Sequence, residues 1–167
     1  VSFGFAAATY VGQNLGARQY ARIRRGVRVA CLMAFCTSLV VSAVTLFFGH
    51  SLIGLFVSKT EPQYDMVLQT AYTYLTVLCV PLSVLYLLHV YRSALQGLGN
   101  MVIPLISGFA ELFFRLLCAA LLPLYLGETG IFYAEPAAWA GATVLLIVSY
   151  YLQIRTLGRT DAPRPLH

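Results

Sequence analysis

The chain has 167 residues, of which 59% are hydrophobic and only 10% are charged. Its mean hydropathy is +0.77. An average soluble domain carries about a quarter charged residues, so this composition excludes a soluble globular fold. The net charge of +5 does not indicate nucleic-acid binding, because the arginines stand at the ends of apolar runs, where they orient membrane helices.

Apolar runs of a length that fits a bilayer recur along the chain. A helix rises about 1.5 Å per residue, so about 20 apolar residues cross a hydrocarbon core of about 30 Å. The runs predict five transmembrane helices, over residues 1–17, 29–48, 66–91, 101–125 and 136–154. We therefore expect an all-α integral membrane protein whose polytopic region covers residues 1–157, followed by a disordered cytoplasmic tail over 158–167.

The beginning of the chain is already apolar at Val1, without an initiator methionine, a basic region or a signal-peptide cleavage site. We expect that it is a fragment that starts inside or just before a membrane helix. The four cysteines lie inside apolar runs without metal-ligand spacing, so we expect neither a metal site nor a disulfide.

The distribution of charge around the predicted spans indicates their orientation. Arginines follow the first span, the third span and the last span, whereas the other two connections carry mainly acidic residues and one lysine. The basic set comprises Arg18, Arg22, Arg24, Arg25, Arg28, Arg92, Arg155, Arg159 and Arg164, and the opposite set comprises Lys59, Glu61, Asp65, Glu128 and Glu135. Short basic loops stay in the cytoplasm. We therefore expect a multi-pass protein of the cell membrane with a cytoplasmic C-terminus.

Polar side chains recur at helical spacing within the apolar third span. They are Gln69, Thr73, Thr76, Ser83, Tyr86 and His89. Such residues either bind neighbouring helices through hydrogen bonds or line a polar cavity. Shorter polar faces on the first two spans favour a shared cavity. Pro81 lacks a backbone donor, so we expect it to kink the third span.

The fourth span carries two ionisable residues one turn apart, Glu111 and Arg115. An ionised group costs about 2.5–3.5 kcal/mol at mid-membrane on insertion scales, and such residues usually face a bundle interior or an aqueous path. At this spacing the two charges can neutralise one another. They are candidates for ion coupling, and the alternative is a structural pair that holds this helix to its neighbours.

Glycine-rich segments stand at two predicted cytoplasmic helix ends, where glycine allows tight turns and close backbone packing. The first contains Gly12, Gln13, Gly16 and Ala17, and the second contains Gln96, Gly97, Gly99, Asn100 and Pro104. In order, spacing and orientation, these segments and the Glu111–Arg115 pair resemble helices eight to twelve of a multidrug and toxic compound extrusion (MATE) transporter. The resemblance covers essentially the whole chain.

This resemblance implies most of the C-terminal lobe of a two-lobe secondary active exporter, which is not an enzyme. It implies export of a small organic cation or drug-like substrate in exchange for inward Na⁺ or H⁺, without another cofactor. The partners are then the lipid bilayer and a missing N-terminal lobe of the same chain. The third span, however, lacks the acidic residue of sodium-coupled members, and Asn100 replaces a common Asp. The coupling ion therefore stays open, and Glu111 is the candidate carboxylate.

Three alternatives differ from this interpretation. A lipid-linked oligosaccharide flippase of the same superfamily needs a strongly cationic cavity, for which only Arg115 is available. An intramembrane enzyme needs clustered ligands or a nucleophile with a base, and His50, His89 and His167 are far apart. A purely structural membrane bundle does not need an embedded ion pair beside a polar stripe.

Overall fold

A computed structural model describes residues 2–56 and 63–160 of the chain. These residues form helices, and no strand occurs in either range. The helices are α1 (Ser2–Gly16), α2 (Tyr20–Phe56), α3 (Tyr64–Cys79), α4 (Leu82–Gly97), α5 (Val102–Leu126) and α6 (Ala134–Thr160), with a 3₁₀ helix over Gly127–Tyr133 between the last two. The predicted all-α fold is confirmed.

Three of these helices, α2, α5 and α6, are long and apolar enough to cross a membrane individually. The pair α3 and α4 makes a fourth candidate span if the two are taken together. The remaining predicted span corresponds to α1, whose 15 residues are fewer than the about 20 that a bilayer requires. Large apolar side chains cover the outside of the bundle, for example Phe47 and Tyr125 at 86% exposure each. Such a surface suits lipid rather than water.

Helix α2 is much longer than the predicted second span. Its 37 residues extend for about 55 Å, so it projects beyond a hydrocarbon core of about 30 Å. The arginines at positions 22, 24, 25 and 28 therefore lie on the first turns of this helix, and their assignment to a loop is wrong. Arginine is a good helix former, which lets the helix begin well before its apolar part.

The predicted third span is a broken helix. The axes of α3 and α4 differ by 46°, and the break lies at Val80 and Pro81, where the sequence predicts the kink. The Ser42 hydroxyl on α2 donates a hydrogen bond to the Cys79 carbonyl oxygen at 2.8 Å. Because no water is available in lipid, this bond supplies the hydrogen-bond partner that the carbonyl oxygen beside the break would otherwise lack.

Helix α4 lies at the centre of the bundle, where it packs against α1, α2 and α6. Leu88, Val90, Ala94 and Leu95 on this helix are buried in the core. Helix α5 packs mainly along α6 and has few contacts with α4. The interior is therefore built around α4, with α5 joined to it chiefly through α6.

The chain ends depart from the predicted boundaries in one place. Helix α6 continues to Thr160, so residues 158–160 of the predicted tail are helical. The rest of the predicted tail lies outside the described residues, as do Lys59 and Glu61 of the predicted acidic connection.

Candidate functional site

Four charged side chains form a continuous network along one side of α5. Glu111 accepts hydrogen bonds from Arg92 on α4 at 2.9 Å and from Arg115 at 3.1 Å, one through each carboxylate oxygen. Arg115 also pairs with Glu135, in the first turn of α6, at 2.9 Å. Two positive and two negative charges alternate, so the network is formally neutral, which reduces the cost of placing it within a membrane bundle.

Glu111 and Arg92 are the less exposed half of this network, and Ser107 is an additional partner of Arg92. The Glu111 and Arg92 side chains are only 17% and 25% exposed. Arg92 also donates a hydrogen bond of 3.3 Å to the hydroxyl of the buried Ser107, which in turn donates to the Pro104 carbonyl oxygen. One donor on each arginine, the Nε–H of Arg92 and of Arg115, has no acceptor among the described residues. The network could therefore bind one more acceptor group.

Sequence reasoning found only half of this network. It placed Arg92 and Glu135 in connections between spans, whereas the structure places both residues in helices. Helix α4 continues to Gly97 and α6 begins at Ala134, and both side chains reach a charged partner on α5. Arg92 is 19 residues from its partner Glu111, and Glu135 is 20 residues from its partner Arg115. No local spacing rule predicts pairs at such separations.

The predicted polar stripe is divided by the Pro81 break. Gln69 and Thr73 are exposed on α3, whereas the other four residues are partly buried. Thr76 lines a cavity of about 450 Å³ beside Pro81 and Tyr133. Tyr86 and His89 line a second cavity, of about 200 Å³, between α4 and α1. These placements do not bring the stripe together with Glu111, so a single shared cavity stays a prediction.

Several polar groups of the stripe bond to their own helix. The hydroxyls of Thr73 and Thr76 donate to the carbonyl oxygens one turn earlier, at 2.9 and 2.8 Å. The Nδ1 atom of His89 lies 2.9 Å from the Leu85 carbonyl oxygen. Groups satisfied in this way can be kept in an apolar environment without a ligand.

The two glycine-rich segments, predicted separately, meet where α1 crosses α4. A Cβ atom added at Gly97 would lie 2.9 Å from the Val11 Cβ and closer still to the Ala8 carbonyl oxygen. Gly12 faces the Gly97 carbonyl oxygen, and a Cβ at Gly4 would lie 2.6 Å from the Ser93 hydroxyl. The spacing of four between small residues at 4, 8 and 12 is a known signal of close helix packing in membranes, and it could have predicted this crossing.

The same segments close the two helices with one type of turn. After α4, the Asn100 N–H donates to the Leu95 carbonyl and the Gly99 N–H donates to the Gln96 carbonyl. Gly99 takes a φ of +80°, as the left-handed position of a Schellman motif requires. After α1 the corresponding bonds run from Gln19 and Arg18, and Arg18 takes a φ of 54°. A residue with a Cβ therefore occupies a conformation that favours glycine.

Asn100 joins three helices at this end of the bundle. Its side-chain oxygen accepts a hydrogen bond from the Ile103 N–H at 3.1 Å, in the first turn of α5. Its amide nitrogen donates to the Gln153 side chain of α6 at 3.0 Å. The residue thus caps α5 directly after the end of α4 and holds α6 beside both. At the end of the other glycine-rich segment, Gln13 and Gly16 lie in the last turn of α1, and Ala17 directly follows that helix.

The fold and the site together define the class of this protein: it is a polytopic helical membrane protein with a charged network inside its bundle. The MatE family model matches residues 1–121. The chain is 26% identical, over 157 residues, to "Probable multidrug resistance protein YoeA" of Bacillus subtilis (strain 168), an alignment that covers 90% of this chain and 32% of that protein.

A solved structure is similar over almost the whole chain. It is described as the inward-facing conformation of a multidrug resistance MATE family transporter of the MOP superfamily, and it matches with a TM-score of 0.86 and 21% identity. The match covers 95% of this chain and 36% of that one. The chain therefore spans about a third of the length of both relatives.

Because the family model matches well over half of the residues, the chain belongs to the MatE family of membrane transporters. The resemblance predicted from the two glycine-rich segments and the Glu111–Arg115 pair is confirmed at the level of the family and the fold.

Proposed function

We propose that this chain forms most of the C-terminal lobe of an exporter that moves small organic cations or drug-like compounds out of the cytoplasm. Export would be driven by inward Na⁺ or H⁺ through alternating access, together with an N-terminal lobe of the same protein. The observation that carries this proposal is the family match over residues 1–121. The similar protein of Bacillus subtilis is itself named as a probable multidrug resistance protein, which supports the substrate class.

Within this proposal, Glu111 is the carboxylate that responds to the coupling ion. Both of its oxygens are bound by guanidinium groups, so an arriving Na⁺ or proton would compete with Arg92 and Arg115 for the carboxylate and weaken one of these ion pairs. Such an exchange would loosen α4 from α5, two helices with few other contacts. Ion binding and helix movement would then be linked through one carboxylate, which is the differential interaction that a two-state transporter needs.

The geometry gives little support to a lipid-linked oligosaccharide flippase. A cavity for a pyrophosphate group needs free cationic side chains. Arg92 and Arg115 are both already paired with carboxylates, which lowers the positive charge they offer to such a substrate.

The test is an export assay on the full-length protein in cells that lack their own exporters. Efflux of a fluorescent organic cation should require an imposed inward gradient of Na⁺ or of H⁺, and collapse of that gradient should stop it. A folded protein that moves the dye without either gradient, or not at all, would refute the proposal. Translocation of a lipid-linked oligosaccharide in its place would favour the flippase.

The role of Glu111 needs a separate variant in the same assay. Glu111→Gln should reduce gradient-driven efflux by at least tenfold at equal amounts of membrane-inserted protein. Glu135→Gln is the matched control, because within residues 2–56 and 63–160 Glu135 forms an ion pair with Arg115 alone, and it should retain most of the efflux. Unchanged transport by Glu111→Gln at normal expression would remove this residue from the mechanism.

A further inference from the structure

An apolar groove between α1 and α2 ends at exposed arginines. It has a volume of about 510 Å³ and is lined mainly by small and aromatic apolar side chains. The residues are Phe3, Ala6, Ala7, Tyr10 and Val11 on α1 and Arg25, Gly26, Val27, Val29, Ala30 and Met33 on α2. Arg25 is the one charged residue among them. This groove is separate from the charged network at Glu111.

The groove crosses the boundary between the lipid headgroups and the hydrocarbon core. Along α2 it runs from Arg25 to Met33, which is eight residues or about 12 Å. Half of a hydrocarbon core is about 15 Å. Because the predicted second span begins at residue 29, the arginine end of the groove lies at the headgroup level and its other end lies within the hydrocarbon core, beside the upper part of an acyl chain.

The shape of the groove depends on a close contact at its charged end. The ring of Tyr10 lies directly against Gly26, in space that any Cβ would occupy. The Tyr10 hydroxyl reaches the Arg22 carbonyl oxygen at 3.5 Å. A glycine at this position thus lets an aromatic ring form the wall of the groove beside the arginines.

The charge at this end is not neutralised by the described part of the chain. Arg22, Arg25 and Arg28 are exposed and lie one turn apart on α2. The carboxylates whose side chains the structure describes lie elsewhere: Asp65 in the first turn of α3, Glu111 within α5 and Glu135 in the first turn of α6. A basic rim above an apolar groove is complementary to an anionic headgroup above an acyl chain.

We infer that this groove binds an anionic phospholipid, with its phosphate at Arg25 and Arg22 and one acyl chain along Tyr10, Ala30 and Met33. The inference concerns the described α1–α2 surface and does not depend on the transported substrate or on the coupling ion. It assigns a specific site to part of the basic surface, beyond a general attraction of arginines to the membrane.

The experiment uses the full-length protein, purified in detergent, and measures its melting temperature and its lipid adducts by native mass spectrometry. Phosphatidylglycerol should bind saturably and raise the melting temperature, whereas phosphatidylcholine and soluble glycerol phosphate should do neither. Arg25→Gln should weaken phosphatidylglycerol binding about fivefold, which corresponds to about 1 kcal/mol for one arginine near an anionic surface. Met33→Trp should weaken it by filling the groove.

Two matched controls separate a site from diffuse attraction. Arg155→Gln removes an equal charge from an exposed arginine near the end of α6 that does not line the groove. Leu32→Trp adds the same side chain at an exposed neighbour of Met33 that does not line the groove. Both controls should bind phosphatidylglycerol like the parent protein.

Other outcomes overturn the inference. Equal binding of the two lipids would show that the arginines do not select a headgroup. An equal loss in Arg25→Gln and Arg155→Gln would show diffuse electrostatics. Absence of any lipid effect would show that the groove does not bind phospholipid. Dye efflux is not measured here, so none of these results bears on the proposed transport function.

Discussion

The two sides of α4 are held in opposite ways. Towards α1 the contact is made by small residues, and Gly97 allows the backbone of the partner helix to approach directly. Towards α5 the backbones are far less closely packed, and the Arg92–Glu111 pair spans the gap. The first contact depends on side-chain size and is indifferent to charge. The second depends on charge and does not require the two helix backbones to be close.

This difference indicates where the bundle can change shape. A close contact between small residues loses its packing as soon as the helices separate, because dispersion attraction falls steeply with distance. An ion pair on long side chains can be exchanged for another partner with less displacement of the backbone. We therefore expect α1 and α4 to move as one body, and any rearrangement to occur at the α4–α5 side.

The largest effect should come from breaking the small-residue contact. Gly97→Leu forces a branched side chain into the space occupied by Ala8 and Val11, and overpacking of this type costs about 3 kcal/mol. The melting temperature of the full-length protein in detergent should fall sharply. Gly108→Leu is the control, since a Cβ at Gly108 meets nothing within 4 Å. Equal losses in both variants would contradict the assignment of the α1–α4 contact.

The second effect should come from removing the charge on the other side. Glu111→Gln leaves Arg92 and Arg115 without their shared carboxylate. A fully buried pair broken in this way costs 3–5 kcal/mol, and partial exposure of both partners reduces the expected loss of stability to about 2 kcal/mol. A double-mutant cycle with Arg92→Gln, followed by thermal unfolding, measures the coupling. Additive losses would show that the two residues do not interact.

A smaller effect is expected at the turn that follows α4. Gly99→Ala places a Cβ on a residue with a φ of +80°, and the left-handed conformation costs about 1–2 kcal/mol for residues other than glycine. The free space around Gly99 means that this cost is conformational rather than steric. Thermal unfolding should show a loss of about 1 kcal/mol. An unchanged melting temperature would mean that the turn takes another conformation.

The smallest effect, of opposite sign, is expected at the corresponding turn after α1. Arg18→Gly relieves a residue that holds a φ of 54° and should stabilise the protein by up to about 1 kcal/mol. The gain is reduced because glycine also increases the entropy of the unfolded chain. Arg18→Ala, which keeps a Cβ, is the control and should give no gain. A gain of equal size in that control would point to charge rather than backbone conformation.

Local features of the sequence determined the helices and several of their irregularities. The apolar runs required helices because a lipid environment leaves backbone groups no other partners. Pro81 marked the break between α3 and α4, since proline removes a donor wherever it stands. The spacing of four between Glu111 and Arg115 predicted an ion pair within one helix, and the structure contains it.

Only the tertiary structure decided which helices share these features. Arg92 and Glu135 appeared to be residues of separate connections, yet they extend the Glu111–Arg115 pair across three helices. Gly12 and Gly97 appeared as the ends of two unrelated segments, yet they meet at one crossing. Helical periodicity acts over three or four residues, whereas contacts between helices depend on how whole surfaces pack. The sequence alone therefore predicted the elements and the family, and packing assembled the charged network and the groove.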